Sequence, residues 1–106
     1  MANNFDEKSL TISNNSLTDV YTASNKSMVV TGTLANTGSV SLNITLKKYD
    51  ASTTSTFTKF KDVPVPVGSA LTIPKIVLNA SDKIQAQSDN ASGNLDVSLE
   101  LLTDIS

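Results

Sequence analysis

The sequence predicts an all-β fold, an antiparallel β-sandwich or jelly roll of about seven to eight short strands. Two stretches, residues 40–47 and 95–101, alternate strictly between apolar and polar side chains. A period of two marks a strand with one buried and one solvated face, which is typical of antiparallel sheets. Polar turn clusters separate the strands at roughly ten-residue spacing, and no apolar stripe at helical spacing is present.

The first half of the chain contains the weaker strand signals. Residues 8–14 hold a short alternation, and a longer apolar run follows it. We expect Met28, Val30 and Leu34 to share one face of that second strand. Gly32, which lies between them, predicts a bulge or a close approach of the backbone.

The second half of the chain predicts two further short strands, at residues 71–74 and 83–88, before the strong strand near the C terminus. Ahead of them, Phe57 and Phe60 have opposite parity, so a regular strand cannot bury both on one face. We expect either a bulge or an aromatic side chain at the surface.

The segment from Val63 to Val67 is the candidate partner contact. If it is extended, Val63, Val65 and Val67 point the same way, and each of the first two precedes a proline, which favours extension. Pro64 and Pro66 lack the N–H that a central strand needs. The segment is therefore either a sandwich edge whose prolines block aggregation or a surface that packs its valines on a neighbouring subunit.

The domain prediction is a flexible N-terminal arm at residues 1–8 and a single β-sandwich domain at residues 9–106. The length of 106 residues fits one domain. The first eight residues are mostly polar, and an arm of this kind either reaches a neighbouring molecule or is simply a disordered terminus.

The composition excludes several classes of chemistry. The chain has no histidine, cysteine or arginine, so a Ser–His or Cys–His nucleophile is impossible, and the usual zinc and copper ligands are missing. We therefore expect no enzyme, no cofactor and no metal site. The remaining acids are expected at turns or on solvated strand faces, at Asp50, Asp62, Asp82, Asp89 and Asp96.

The net charge and the expected absence of targeting signals limit the classes of partner and the compartment that we expect. A formal charge of −2 and the lack of arginine argue against a nucleic-acid binder. We expect neither a signal peptide nor a membrane span, and the missing cysteines fit a reducing cytoplasm. Two lysine pairs, Lys47 with Lys48 and Lys59 with Lys61, are either solvated strand faces or a contact for an acidic patch on a partner.

Three successive stretches resemble a group of small bacteriophage virion proteins, especially those of phages with marine or cyanobacterial hosts. They begin at VYTASN, FKDVPV and LDVSLE, and the likeness covers about residues 17–105. The distinctive part is the step P-x-G-S-x-L, which ends at Leu71, followed by KIVLNASDKIQAQ. Relatives often have a Pro–Ala–Gly turn where this chain has Ala23–Asn25, which changes a turn and leaves the fold prediction intact.

The resemblance implies a non-enzymatic structural role in the virion, assembled in the host cytoplasm. The expected protein is a capsid decoration (cement) protein that binds the outer shell, with the major capsid protein as partner and with other copies of itself in a homo-oligomer. One alternative is a tail or neck adaptor or a fibre-associated subunit. Another is a sugar- or receptor-binding module, which an exposed aromatic platform would favour; with no Trp and only Tyr21 and Tyr49 as tyrosines, nothing positive supports it.

Overall fold

The computed structural model describes residues 4–90 and 93–103, and in them the chain folds as the predicted antiparallel β-sandwich. Nine strands form two sheets, and no helix lies in these residues. The structure has one or two strands more than predicted, in part because Pro74, which cannot donate to a ladder, separates the two short strands β6 and β7. The strands are β1 (Asn4–Ile12), β2 (Thr18–Thr22), β3 (Ser27–Asn36), β4 (Leu42–Asp50), β5 (Ser55–Val65), β6 (Ala70–Ile73), β7 (Ile76–Leu78), β8 (Lys83–Ser88) and β9 (Leu95–Thr103).

The two sheets have distinct strand orders. Sheet A runs β1-β9-β3-β6, with β7 also paired to β3, and sheet B runs β2-β8-β4-β5. Every pairing in both sheets is antiparallel. Strand β1 lies over β2 at one side of the sandwich, and β5 ends sheet B at the opposite side.

The strand directions follow from these pairings. Strands β1 and β3 are both antiparallel to β9, so they run the same way. A short turn after Asn36 reverses the chain into β4, and β4 is antiparallel to β5. Because aligned sheets keep their strand directions within about 30° of each other, β1 and β5 run in the same direction on opposite sides of the molecule.

The core lies between the sheets and is built by the alternation that the sequence shows. All four inward positions of β9 are at most 1% exposed, and the inward residues of β4 are equally buried. Ile84 and Ala86 of β8, the neighbour of β4 in sheet B, are buried in the same core. This confirms the faces predicted for the two strongest strands, whose buried residues are Leu42, Ile44, Leu46, Leu95, Val97, Leu99 and Leu101.

Strand β3 corrects one prediction about faces. Its register against β9 shifts between Val29 and Thr31, so Val30 is the bulge residue and is exposed. The inward face is therefore shared by Val29 and Leu34, not by Met28 and Val30. Gly32 is the predicted point of close approach, since a Cβ there would lie 2.8 Å from the backbone oxygen of Ser98.

Strand β5 combines both solutions to the parity of its two phenylalanines. The register against β4 shifts twice, and Phe60 packs against the core while Phe57 is 53% exposed. Asp62 sits at one shift with a φ of 52°, in the left-handed region where a bulge residue is often found. Its N–H donates to Thr45 Oγ1 at 3.2 Å.

Buried Asn36 holds the loops at one end of the sandwich. Its Nδ2 donates to the backbone oxygens of Val40 at 2.8 Å and Val65 at 2.9 Å. Its Oδ1 accepts from the N–H of Gly38 at 3.1 Å. The side chain thus joins the turn after β3 to the end of β5, with its polar atoms hydrogen-bonded as burial requires.

Asp82 plays the corresponding part at the other end, and its burial corrects the expectation that it lies in a solvated turn. It is 1% exposed. Its carboxylate accepts from the N–H of Ala51 at 3.0 Å and of Asn79 at 2.9 Å, and Lys48 Nζ lies 3.9 Å away. A carboxylate is buried only where such donors replace water, so this residue fixes the turn before β8 against the end of β4.

The start of the domain differs from the prediction. Strand β1 begins at Asn4, and residues 4–8 pair with β9 from Thr103 to Leu99. The sequence predicts an arm here because these residues are mostly polar. In the structure every side chain from Asn4 to Ser9 is exposed, so the strand leaves no alternation of apolar and polar residues in the sequence. Residues 1–3 of that predicted arm lie outside the described residues.

Candidate interaction surfaces

The structure divides the predicted contact segment between core and surface. Val65 is 1% exposed and belongs to the chain's own core, while Val63 is half-buried opposite Ile44. Pro64, Pro66 and Val67 are exposed. The continuous row of three valines is therefore not available to a neighbour, and only the prolines and Val67 remain as contact candidates.

The first half of β1 is exposed on both faces although it is hydrogen-bonded to β9. Its inward positions are Asp6 and Lys8, opposite the buried Leu101 and Leu99. An open cleft separates these charges from β2, and Tyr21 is among the residues that line it. Inward-pointing charges on an edge strand discourage indiscriminate strand addition, so Asp6 and Lys8 protect this edge.

An apolar row crosses the outer face of sheet A. Directly paired residues in antiparallel strands point to the same face, and the pairings place Phe5 beside Leu102, Leu102 beside Met28, and Met28 beside Val77. Phe5 is 85% exposed and Val77 is 48% exposed, and the bulge residue Val30 adds to the patch. We call the four paired residues the apolar row.

The outer face of sheet B is polar and largely satisfied by its own contacts. Asp19 accepts from Gln85 Nε2 at 2.8 Å and from Lys83 Nζ at 3.3 Å. The hydrogen bond from Gln85 does most to lower the pKa of Asp19, against partial burial, and Lys83 lowers it further. Lys83 also lies 5.7 Å from the ring centre of Tyr49, within the range of a cation–π contact.

The two lysine pairs of the sequence meet on adjacent strands. Lys47 on β4 is paired with Thr58 on β5, next to Lys59. Lys59 and Lys61 are exposed on β5, one of the two edge strands of sheet B. Lys48 turns the other way, toward Asp82, so the basic patch consists of Lys47, Lys59 and Lys61, and we call these three residues the basic edge.

Three acids lie at the β1 edge of sheet A, Asp6 on its inner face and Glu7 and Glu100 on its outer face. Asp6 and Glu7 lie on β1, and Glu7 is directly paired with Glu100 of β9. Like charges opposite each other on paired strands are destabilising, and among the described residues no ion pair involves either glutamate. We call Asp6, Glu7 and Glu100 the acidic edge.

The carboxylates of Asp89 and Asp96 are hydrogen-bonded within the fold. Asp89 accepts from the N–H and from Nδ2 of Asn43, both at 2.9 Å, and Asp96 accepts from Thr11 Oγ1 at 2.7 Å. Within residues 4–90 and 93–103, no group of three or more acids, histidines or cysteines is placed to hold a metal ion. No helix in the same ranges is long and apolar enough to cross a membrane.

The aromatic side chains do not form a common platform for a sugar. Phe5 and Phe57, the two large exposed rings, lie on β1 and β5 at opposite sides of the sandwich. Tyr21 packs partly against the core, and Tyr49 lies beneath Lys83.

Sequence reasoning missed the apolar row and the acidic edge. Each is made from strands that are distant in the sequence, so no local period marks it. The one local signal was the phenylalanine at position 5 in an otherwise polar stretch, which predicts nothing until its neighbour on β9 is known.

Comparison with known proteins gives structural neighbours only. No protein-family model matches the chain, and no curated protein matches its sequence. A solved structure described as a Bacillus endospore appendage of a family of disulfide-linked pili has a TM-score of 0.59 at 12% identity, covering 100% of this chain and 93% of that one. At this identity the likeness shows the fold alone, and this chain contains no cysteine.

Two further neighbours are structures of a pentameric capsid protein from metagenomic phage sequences. Their TM-scores are 0.46 and 0.45, at 18% and 17% identity, and each covers 92% of this chain. This chain spans 62% and 61% of their lengths.

Proposed function

We propose that this chain is a non-enzymatic structural protein of a bacteriophage virion, a decoration protein that binds the outside of the capsid shell. The observation that carries the proposal is the apolar row, a contiguous strip across sheet A in which Phe5 and Val77 are exposed and Leu102 and Met28 are half-buried. Exposed apolar strips bordered by polar residues mark surfaces for protein contact. The virion setting rests on the resemblance of residues 17–105 to small phage virion proteins, including those of marine or cyanobacterial phages.

The shape of the apolar row suits a broad, shallow partner surface. Four paired strands, about 4.8 Å apart, make a strip only a few side chains wide. Phe5 projects at one end and Val77 at the other, both largely exposed. The neighbouring row contains Glu7, Glu100 and Thr31, so the strip has the polar border that interfaces usually have.

The proposed mechanism is adhesion by many weak contacts. A strip of this size buries less surface than a stable interface between two isolated proteins needs. Copies arranged by the symmetry of a shell would nonetheless bind cooperatively through multivalency. The exposed Pro64, Pro66 and Val67 are the second contact that we propose, since they present apolar surface without an edge that invites strand addition.

We also propose the finer description of the fold as a jelly roll. Successive strands exchange between the sheets, with β1 in sheet A, β2 in sheet B, β3 in sheet A and β4 in sheet B. Strands β8 and β9 then insert between earlier strands of sheets B and A respectively. Such nested exchange is the arrangement of jelly rolls in capsid and lectin domains.

The decisive experiment is quantitative mass spectrometry of purified virions, with the copy number scaled to the major capsid protein. Hundreds of copies per particle are expected for a shell decoration protein. A few to a few dozen copies would instead support a tail or neck adaptor, and the decoration mechanism would be wrong. Absence from clean particles would overturn the virion role itself.

A binding experiment tests the surface. Phe5→Ser combined with Val77→Ser removes both ends of the apolar row without touching the core, and we expect it to abolish co-sedimentation with capsid shells that lack the protein. Phe57→Ser, an exposed phenylalanine on the other sheet, is the matched control and should bind as the unmodified chain does. Equal binding by all three proteins would show that the apolar row is not the contact.

A further inference from the structure

Two of the edge strands of the sandwich, β1 and β5, carry opposite charge. The acidic edge lies on β1 and the adjacent β9, and the basic edge lies on β5 and the adjacent β4. They belong to different sheets and to opposite sides of the molecule. One copy can therefore use both edges at once, each toward a different neighbour.

We propose that the acidic edge of one copy contacts the basic edge of the next, so that copies of this chain join side by side in a head-to-tail row or ring. The inference extends the proposed function by naming how the copies meet, and it rests on that function only for its setting in the virion. A contact between two different patches is heterologous, and it propagates or closes into a ring according to the rotation between copies.

The order of charges matches when the two strands run in the same direction. Along β1, the acids Asp6 and Glu7 are followed by Lys8, whereas along β5 the lysines at 59 and 61 are followed by Asp62. A parallel alignment places acids beside lysines and Lys8 beside Asp62. An antiparallel alignment places Lys8 beside the lysines, where like charges repel.

The fold supplies the orientation that this alignment needs. Because β1 and β5 run the same way within one molecule, two copies in the same orientation present them to each other in parallel. The two strands belong to different layers, so the neighbour is displaced by one sheet spacing, about 10 Å. Side-by-side copies with a stagger of one layer satisfy both conditions.

The bulges of β5 bring its charges to a matching length. Thr58 is paired with Lys47 and Val63 with Ile44. The four residues from Lys59 to Asp62 therefore lie opposite only two residues of β4. This compression concentrates two lysines and one aspartate over about the same length that Asp6, Glu7 and Lys8 occupy on β1.

The contact is made by side chains more than by a continuous backbone ladder. Pro64 lacks an N–H, and bulges interrupt the edge of β5. These features, with the inward charges of β1, block unselective strand addition. A lysine brought next to the paired Glu7 and Glu100 would also relieve their mutual repulsion, which makes the charge match the selective part of the contact.

The test is a charge swap followed by sedimentation velocity on the full chain. The acid-edge variant is Asp6→Lys with Glu7→Lys, and the base-edge variant is Lys59→Glu with Lys61→Glu. All four side chains are exposed, so the fold should tolerate both. We expect the unmodified chain to form oligomers at low salt that dissociate at high salt, and each variant alone to be monomeric.

Mixing the two variants gives the outcome specific to this contact. Each edge of one variant then meets an edge of opposite charge on the other, so an equimolar mixture should recover the oligomer. Lys26→Glu with Lys75→Glu changes the net charge as the base-edge variant does, but away from these two edges, and should assemble like the unmodified chain. A monomeric unmodified chain at low salt, a mixture that stays monomeric, or a control that also fails to assemble would each overturn the proposal.

Cysteine crosslinking locates the contact, because the chain has no cysteine of its own. A variant with both Glu7→Cys and Lys61→Cys, treated with a short bismaleimide, should give a ladder of multimers. Either single substitution alone should give no ladder, and a mixture of the two singles should stop at the dimer. A ladder-free double variant would contradict the β1–β5 contact, while the copy number in virions would leave the proposed function to be judged separately.

Discussion

The edge strands β1 and β5 are protected in different ways. Strand β1 is regular in its pairing, has no bulge, and carries charges at inward positions paired with buried residues of β9. Strand β5 is interrupted by two register shifts and contains Pro64. Charged side chains therefore protect the regular strand β1 against strand addition. Bulges and a proline protect β5, because they prevent a continuous hydrogen-bond ladder.

The difference shows that the edges are not interchangeable. A symmetric contact of β1 with β1, or of β5 with β5, would bring like charges together. The two strands suit a contact between unlike patches. Buried Ile12 anchors β1, and the hydrogen bond from Asn36 to Val65 anchors the end of β5.

The largest expected effect separates the two halves of β1. Ile12 is 2% exposed and Phe5 is 85% exposed on the same strand. Replacing Ile12 by Ala should lower the free energy of unfolding by about 3 kcal/mol, through lost burial and the cavity left behind. Phe5→Ala should change it by less than about 0.5 kcal/mol.

Urea unfolding followed by circular dichroism measures both changes. Thr11→Ala is unsuitable as a control because Thr11 bonds Asp96, so Ser9→Ala, on the exposed part of β1, is the matched control. A large loss for Phe5→Ala would mean that the ring contributes to the folded monomer, and the apolar row would then be a structural feature instead of a free surface.

The second effect concerns the opposite edge. Asn36→Ala removes two hydrogen bonds from this side chain, one to Val40 in the turn before β4 and one to Val65 at the end of β5. Leaving buried carbonyls without donors should lower the free energy of unfolding by about 2 to 3 kcal/mol. Thr37→Ala, an exposed neighbour, should stay within about 0.5 kcal/mol; an equal loss in both would assign the effect to the turn backbone.

The same contrast explains what the sequence could and could not predict. Strands β4 and β9 were predictable because one face of each is buried along most of its length. The first half of β1 has no buried face, and the Val30 bulge depends on pairing with β9. Neither leaves a local period to detect.

Contacts between distant segments were equally hidden. The role of Asp82 depends on Ala51 and Lys48, which lie more than thirty residues earlier. The acidic edge depends on Glu7 meeting Glu100. The lysines of β4 and β5 stand as two pairs in the sequence. Only the pairing of these two strands brings Lys47 beside Lys59.

A smaller effect is expected from restoring the ladder of β5. Pro64→Thr returns an N–H to the edge and gives the unfolded chain more freedom, which should cost about 0.5 to 1 kcal/mol of stability. The edge should also become more prone to unselective strand addition, seen as concentration-dependent light scattering. Pro74→Thr, between β6 and β7, is the comparison. Unchanged scattering would mean that the bulges alone protect this edge.

The smallest effect lies on β2, directly beneath β1. The hydrogen bond from Gln85, assisted by Lys83, lowers the pKa of Asp19 below its ordinary value of 3.8. The folded state therefore favours the carboxylate, so its contribution is present above the ordinary pKa and is lost as the pH falls through the lowered one. Because the side chain is 50% exposed, solvent screening limits that contribution to about 0.5 kcal/mol.

Asp19→Asn should accordingly be less stable than the unmodified chain at neutral pH, and the difference should shrink toward zero as both are taken below the lowered pKa. Urea unfolding at a series of pH values from neutral into the acid range measures it. Gln85→Leu, alone and combined with Asp19→Asn, closes a double-mutant cycle that isolates the pair. A pH-independent difference would show that the carboxylate charge is irrelevant and that the side chain acts here by its shape.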